Sequence, residues 1–149
     1  DKIVILETNL DDIKGEKIGY TINKLIQSGA KDVNIFSTVT KKNRPGYLMQ
    51  VLSPLDCEKN IVEKIFELTG TLGIRYTPVN RYILERSIEK IKIKINNEYF
   101  ELRVKKIFTP KGEIRFKPEF DDIVKIAEKT GVEIDQVEHL VLNELNSKN

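Results

Sequence analysis

Apolar and polar positions along this chain fall into two regimes that meet near Pro78. In the first, Ile3-Val4-Ile5-Leu6 is a short unbroken apolar run, the pattern of a strand buried on both faces. Residues 14–28 then place Ile18, Ile22, Leu25 and Ile26 at helical spacing, with Gly29 just past the end as a cap. Val33, Ile35 and Val39 fit a second strand and residues 47–52 a third, joined by a polar loop containing Pro45-Gly46. Ser53-Pro54 has the form of an N-cap followed by proline at the first helical position. Cys57, Ile61, Ile65 and Phe66 line one face of that helix, and a Gly-rich turn leads into a fourth strand over 73–76.

The second regime alternates strictly. Ile91, Ile93 and Ile95 interleave with Lys90, Lys92 and Lys94, and Asn96-Asn97 supplies the turn of a tight hairpin. Phe100, Leu102 and Val104 return against Glu101, Arg103 and Lys105. A turn at 109–112 leads to Ile114 and Phe116, and two helices follow, the first ending at Gly131. Cys57 and the Ile positions predict a core in the first part, Phe120, Ile123, Val137 and Leu140 one in the second. The expected class is α+β: a ferredoxin-like split βαβ over 1–76, then an antiparallel β-meander with two C-terminal helices over 77–149.

At 149 residues the chain has room for a core without metal or disulfide. One Cys excludes a disulfide within the chain, and no apolar run approaches the roughly 20 residues that span a bilayer. It opens on Asp1 with strand-like residues at once, which predicts a piece of a longer protein. The net charge of +2 hides an asymmetry. Residues 41–117 carry 17 basic and 9 acidic side chains, whereas 119–149 carry 3 and 8. That field favours a phosphate-bearing partner, but is too weak for a dedicated duplex-DNA binder. The few aromatics lack the stacking pattern of an RNA-recognition sheet, so neither nucleic acid nor membrane is an expected partner.

Four polar segments carry candidate chemistry. Glu7-Thr8-Asn9-Leu10-Asp11-Asp12 packs three carboxylates into a strand-to-helix junction, and oxygen donors suit Mg²⁺ or Mn²⁺. Helix capping explains one such residue and leaves the others over. Lys41-Lys42-Asn43-Arg44-Pro45-Gly46 sets three cations at a turn, a phosphate clamp or an exposed basic loop. Thr69-Gly70-Thr71-Leu72-Gly73-Ile74-Arg75 offers backbone N–H groups to an anion and matches neither common nucleotide fingerprint. Last, Arg103, Lys105, Arg115 and Lys117 should share a strand face, with Glu119, Asp121 and Asp122 directly after it. His139 stands alone, Cys57 reads as a buried small hydrophobe, and no nucleophile–His–Asp arrangement exists.

These four segments, in this order, resemble the C-terminal domain of the LarC family of nickel insertion proteins, over essentially the whole chain. Thr40 and Gly70 stand where the family commonly has Met and Thr. The resemblance implies a CTP-dependent nickel chelatase of the lyase class, acting in cofactor biosynthesis for lactate racemase. Such proteins insert Ni²⁺ into pyridinium-3,5-bisthiocarboxylic acid mononucleotide while CTP becomes CMP and diphosphate, with Mg²⁺ or Mn²⁺ present. It further implies an N-terminal domain, a cytoplasmic location and a homo-oligomer. On that basis Glu7, Asp11 and Asp12 would take the metal, with Glu119, Asp121 and Asp122 as second candidates. Lys41, Lys42, Arg44, Arg75, Arg115 and Lys117 would hold the CTP phosphates, and Asp11, Asp12, Lys41 and Arg44 would act in catalysis. The competing expectation is a non-catalytic nucleotide-binding or oligomerisation module.

Overall fold

A computed structural model describes residues 1–147, with the side chains of residues 42, 146 and 147 outside the description. The chain divides into two units, Asp1–Tyr82 and Ile83–Asn149. In the first, β1 (Lys2–Leu10), β2 (Asp32–Thr40), β3 (Arg44–Pro54) and β4 (Arg75–Asn80) form one sheet in the order β2-β3-β1-β4. Helices α1 (Gly15–Gln27) and α2 (Glu58–Thr69) connect β1 to β2 and β3 to β4. With β3 lying between β1 and β2, this is the split βαβ arrangement that the order of elements predicts. Val4, Leu6 and Leu10 of β1 meet Met49 and Val51 of β3 on the helix side, closed by Leu25, Ile61 and Ile65. Glu7 and Asn9 therefore face away from the helices, because successive side chains of a strand alternate.

Several element ends differ from the local pattern. β1 does not stop at Leu6: Glu7 to Leu10 also pair with β3, and one of the four residues of the apolar run, Ile5, is only partly buried. Ser53 and Pro54 end β3 opposite Val4 and Ile3 rather than opening a helix, and α2 starts at Glu58 after Cys57. Pro45 and Gly46 belong to β3, opposite Val39 and Thr38. Pro45 is tolerated there because β1 pairs only as far as Tyr47, leaving that stretch an outer strand. The expected division after residue 76 falls inside β4, an edge strand that accepts Pro78 opposite Val4.

In the second unit β5 (Arg86–Ile95), β6 (Glu98–Phe108) and β7 (Ile114–Pro118) form an antiparallel meander, followed by α3 (Phe120–Thr130) and α4 (Ile134–Ser147). Asn96 and Asn97 both take positive φ, 50° and 68°, as a tight hairpin turn demands. Ile93, Ile95, Leu102 and Val104 pack against Ile123, Val137 and Val141. Among the described residues no helix is long and apolar enough to cross a membrane.

Candidate phosphate and metal site at the end of β1

The far end of β1 gathers most of the first unit's polar chemistry. Glu7 lies directly opposite Gln50 on β3 and Arg75 on β4, with Asn34 of β2 continuing the row. Its carboxylate accepts a hydrogen bond from Gln50 Nε2 at 2.9 Å and lies 3.6 Å from Arg75 Nε. Arg75 Nη2 in turn donates to Asn9 Oδ1 at 3.0 Å. Glu7 is thus committed to holding Arg75. Among the described residues no three Asp, Glu, His or Cys side chains gather as a metal-holding group. The three-carboxylate set expected of Glu7, Asp11 and Asp12 is therefore not formed, because Glu7 lies back along the extended strand and is held by its neighbours on β3 and β4. Asp11 and Asp12 sit in the bend after β1, exposed, without a hydrogen bond or ion pair to another described side chain.

Two clefts flank that bend. One, of about 610 Å³, is lined by Asn9, Asp11, Val39, Thr40, Lys41 and Arg44. The other, of about 560 Å³, runs past Asn9 and Asp11 to the Gly70–Gly73 turn and Arg75. A smaller hollow of about 260 Å³ adds Asp12 and Thr69. Asn9 and Asp11 are common to all three, so one acidic residue stands between Lys41 with Arg44 on one side and Arg75 on the other.

Local chemistry sets both walls. Lys41–Asn43 make a single 3-10 turn, closed by Asn43 at φ 56° and by Thr40 Oγ1 donating to the Arg44 carbonyl at 3.1 Å. Lys41 and Arg44 thus stand at either end of the turn, and Pro45-Gly46 follows it within β3. The Lys42 side chain lies outside the described residues. On the other wall Gly70 caps α2 at φ 70°. Buried Thr8 pins the turn, its Oγ1 sharing a 2.6 Å hydrogen bond with Thr71 Oγ1 and donating to the Gly73 carbonyl at 2.9 Å. Gln50 has no counterpart in the sequence reading: a lone polar residue in an apolar strand is its only local sign.

Gly46 determines how closely the walls meet. A Cβ there would stand 2.7 Å from Thr40 Cγ2 and 3.0 Å from the Leu10 carbonyl oxygen. The backbone before Asp11 cannot yield as a side-chain tip can. Gly46→Ala is expected to destabilise the unit by about 1–3 kcal/mol through overpacking and to move Asp11. A denaturant midpoint equal to that of the native chain would refute this.

The expected basic face of the second unit is present but largely occupied. Lys105 lies opposite Lys117, and Ile107 opposite Arg115, so Arg103, Lys105, Arg115 and Lys117 share one face. Asp122 accepts from the Arg103 backbone N–H at 3.0 Å and from its Nε and Nη2 at 2.8 and 2.7 Å. Lys105 pairs with Glu119 at 2.7 Å and Arg115 with Glu113 at 3.2 Å. Glu119 and Asp122 therefore serve the basic set rather than standing open for a cation, whereas Asp121 is exposed.

The Arg103 hydrogen bonds hold the Asp122 carboxyl well below the usual carboxylate range. A depressed folded pKa means stability that is present above the unfolded value of about 4 and lost as pH falls below it. Melting temperature should accordingly fall between about pH 4 and pH 2, and more shallowly for Asp122→Asn. Parallel acid profiles would remove Asp122 as the cause.

Softer metal donors are scarce. Cys57 is half-buried at the start of α2, where burial and then the Asp56 carboxylate push its thiol up and favour the protonated form. His139 is exposed on α4.

A family model for nickel insertion proteins matches residues 1–138. The pyridinium-3,5-bisthiocarboxylic acid mononucleotide nickel insertion protein of Acetivibrio thermocellus is 40% identical over 138 residues, covering 92% of this chain and 32% of that protein. The chain spans about a third of the length of the curated relatives it matches. Among solved structures it is similar to LarC2, the C-terminal domain of a cyclometallase involved in synthesis of the NPN cofactor of lactate racemase, in its apo form. That match has a TM-score of 0.85 at 27% identity and covers 98% of both chains. A Methanopyrus kandleri AV19 protein aligns with a TM-score of 0.69 at 30% identity, covering 93% of this chain and 85% of that one. The two-unit α+β fold and the sequence agree on one assignment: this chain belongs to the nickel insertion protein family.

Proposed function

We propose that this chain is the nucleotide-binding part of a CTP-dependent nickel insertion enzyme acting on pyridinium-3,5-bisthiocarboxylic acid mononucleotide. The observation that carries the reading is the end of β1, where Asp11 lies between clefts lined by Lys41 and Arg44 and by Arg75. Guanidinium groups suit phosphate oxygens bidentately, and the Gly70–Gly73 turn brings backbone close to the same space.

The donor set fits Mg²⁺ or Mn²⁺. Mg²⁺ is commonly held by one or two carboxylates with substrate phosphates and water completing the shell, and Asp11 and Asp12 supply two. When bound, the ion offsets charge on the diphosphate that leaves CTP. Lys41, Arg44 and Arg75 hold the phosphates, and Glu7 and Asn9 keep the Arg75 fork oriented. Ni²⁺ is cargo: with Cys57 protonated and His139 isolated, the described residues hold no soft donor pair for it, so the substrate's sulfur atoms supply the natural ligands.

Asp11→Asn is the test. It should keep CTP binding within a few-fold of the native chain, measured by calorimetry without metal, and abolish the increase that Mn²⁺ gives. A native Mn²⁺ increase in this variant would remove Asp11 from the metal site. CTP binding with no CMP formed when Mn²⁺, Ni²⁺ and substrate are present would leave the chain a non-catalytic nucleotide module.

A further inference from the structure

The second sheet packs Ile93, Ile95, Phe100, Leu102 and Val104 against α3 and α4, and its other face carries eight cations interspersed with Ile88, Tyr99, Glu101 and Ile107. β5 contributes Arg86, Lys90, Lys92 and Lys94 to that face, β6 contributes Arg103 and Lys105, and β7 contributes Arg115 and Lys117. Among the strand residues on that face only Glu101 is acidic, and Glu113, Glu119 and Asp122 reach the cations from outside the strands. Lysine on an edge strand guards against strand pairing with another chain, which accounts for β5. It does not account for β6, the central strand. There Arg103 lies directly opposite Lys90, and Lys105 directly opposite Lys117. Like charges facing each other across a ladder destabilise a sheet. Glu101, Asp122 and Glu119 relieve Lys90, Arg103 and Lys105. Arg86, Lys92, Lys94 and Lys117 have no carboxylate within ion-pair distance among the described residues.

At one end of the face lies a hollow of about 430 Å³, lined by Lys92, Tyr99, Phe100 and Glu101. Tyr99 is exposed, and Lys94 Nζ lies 5.9 Å from its ring centroid. Cations recur every second residue, roughly 7 Å apart along a strand, which suits a polymer of repeating anions. An exposed ring at the end of such a row offers a stacking surface for a base. A mononucleotide would use one or two of these cations, and an acidic protein surface would have no use for the ring.

We propose that this face binds single-stranded nucleic acid, with phosphates along the β5 to β7 cations and a base on Tyr99. This goes against the expectation from the low aromatic count, because strand register concentrates charge that the linear sequence spreads over 32 residues, from 86 to 117.

Fluorescence anisotropy on the full chain tests it, with a labelled 12-nucleotide oligouridylate, linear polyphosphate and polyglutamate as probes. The oligonucleotide should bind with a log affinity against log salt slope of about −3, from roughly 0.7 for each of the four unpaired cations. Lys92→Gln with Lys94→Gln should lower that slope by about 1.4 and weaken binding at least tenfold. Tyr99→Ala should weaken the oligonucleotide by about 5- to 100-fold while leaving polyphosphate binding and the slope unchanged. All three positions are exposed, so melting temperatures should stay native. Polyglutamate binding as tightly, stoichiometric displacement by CTP, or a native slope in the double variant would each overturn the proposal.

Discussion

Leu6→Ala is expected to cost about 2–5 kcal/mol of folding free energy, the range for emptying a fully packed core position. Leu6 has no exposed surface and lies on the central strand, between the β3 residues Met49 and Val51 and the α2 residues Ile61 and Ile65. An 82-residue unit has only about 4–12 kcal/mol in total at 0.05–0.15 kcal/mol per residue, so the loss is a large fraction of what holds it folded. The chain has no Trp, so far-UV circular dichroism in urea is the suitable readout. The functional consequence follows from strand geometry. Glu7 and Asn9 are carried on the opposite face of the same strand, and whatever loosens Leu6 loosens the support of Arg75. A loss under 1 kcal/mol, with a native denaturant slope, would show that the strand is not anchored where the core places it.

Arg75→Ala is expected to weaken CTP binding by about 1.5–3 kcal/mol, roughly 10- to 150-fold, the worth of charge-assisted hydrogen bonds to phosphate. Arg44→Ala should have an effect of the same order from the opposite cleft. Arg75→Lys should recover only part of the loss, since an ammonium keeps the charge but not the two-point geometry that Glu7 and Asn9 orient. Titration calorimetry at fixed ionic strength measures all three. Native affinity in both alanine variants would discard the clamp, and native affinity in Arg75→Lys would reduce Arg75 to a point charge.

What the sequence by itself determined here is what depends on neighbours within a turn or two. The helical spacing of Ile18, Ile22 and Leu25 and the isoleucine–lysine alternation of residues 90–95 specify element type and the face to be buried. Asn96-Asn97 specifies a hairpin because asparagine tolerates the positive φ that a two-residue turn requires. The order of elements then leaves few topologies, and the split βαβ is one of them.

Only the tertiary structure decided where strands end and which polar residues meet. Ser53-Pro54 carries a sound helix-start signal, yet pairing with Val4 and Ile3, some fifty residues away, keeps it in β3. Glu7 looks like a metal ligand beside Asp11 and Asp12 in sequence. It is separated from them because it lies well inside the extended strand, where it is held by Gln50 and Arg75 from two other strands, while Asp11 and Asp12 lie in the bend beyond its end. The turn over residues 41–44, Arg75 and Asp11 are likewise far apart in sequence, and the sheet brings them to one end of β1. Long-range ladders override local preference because each residue added to a strand satisfies backbone hydrogen bonds that would otherwise be lost. Those bonds are made with partners whose position no window of sequence contains.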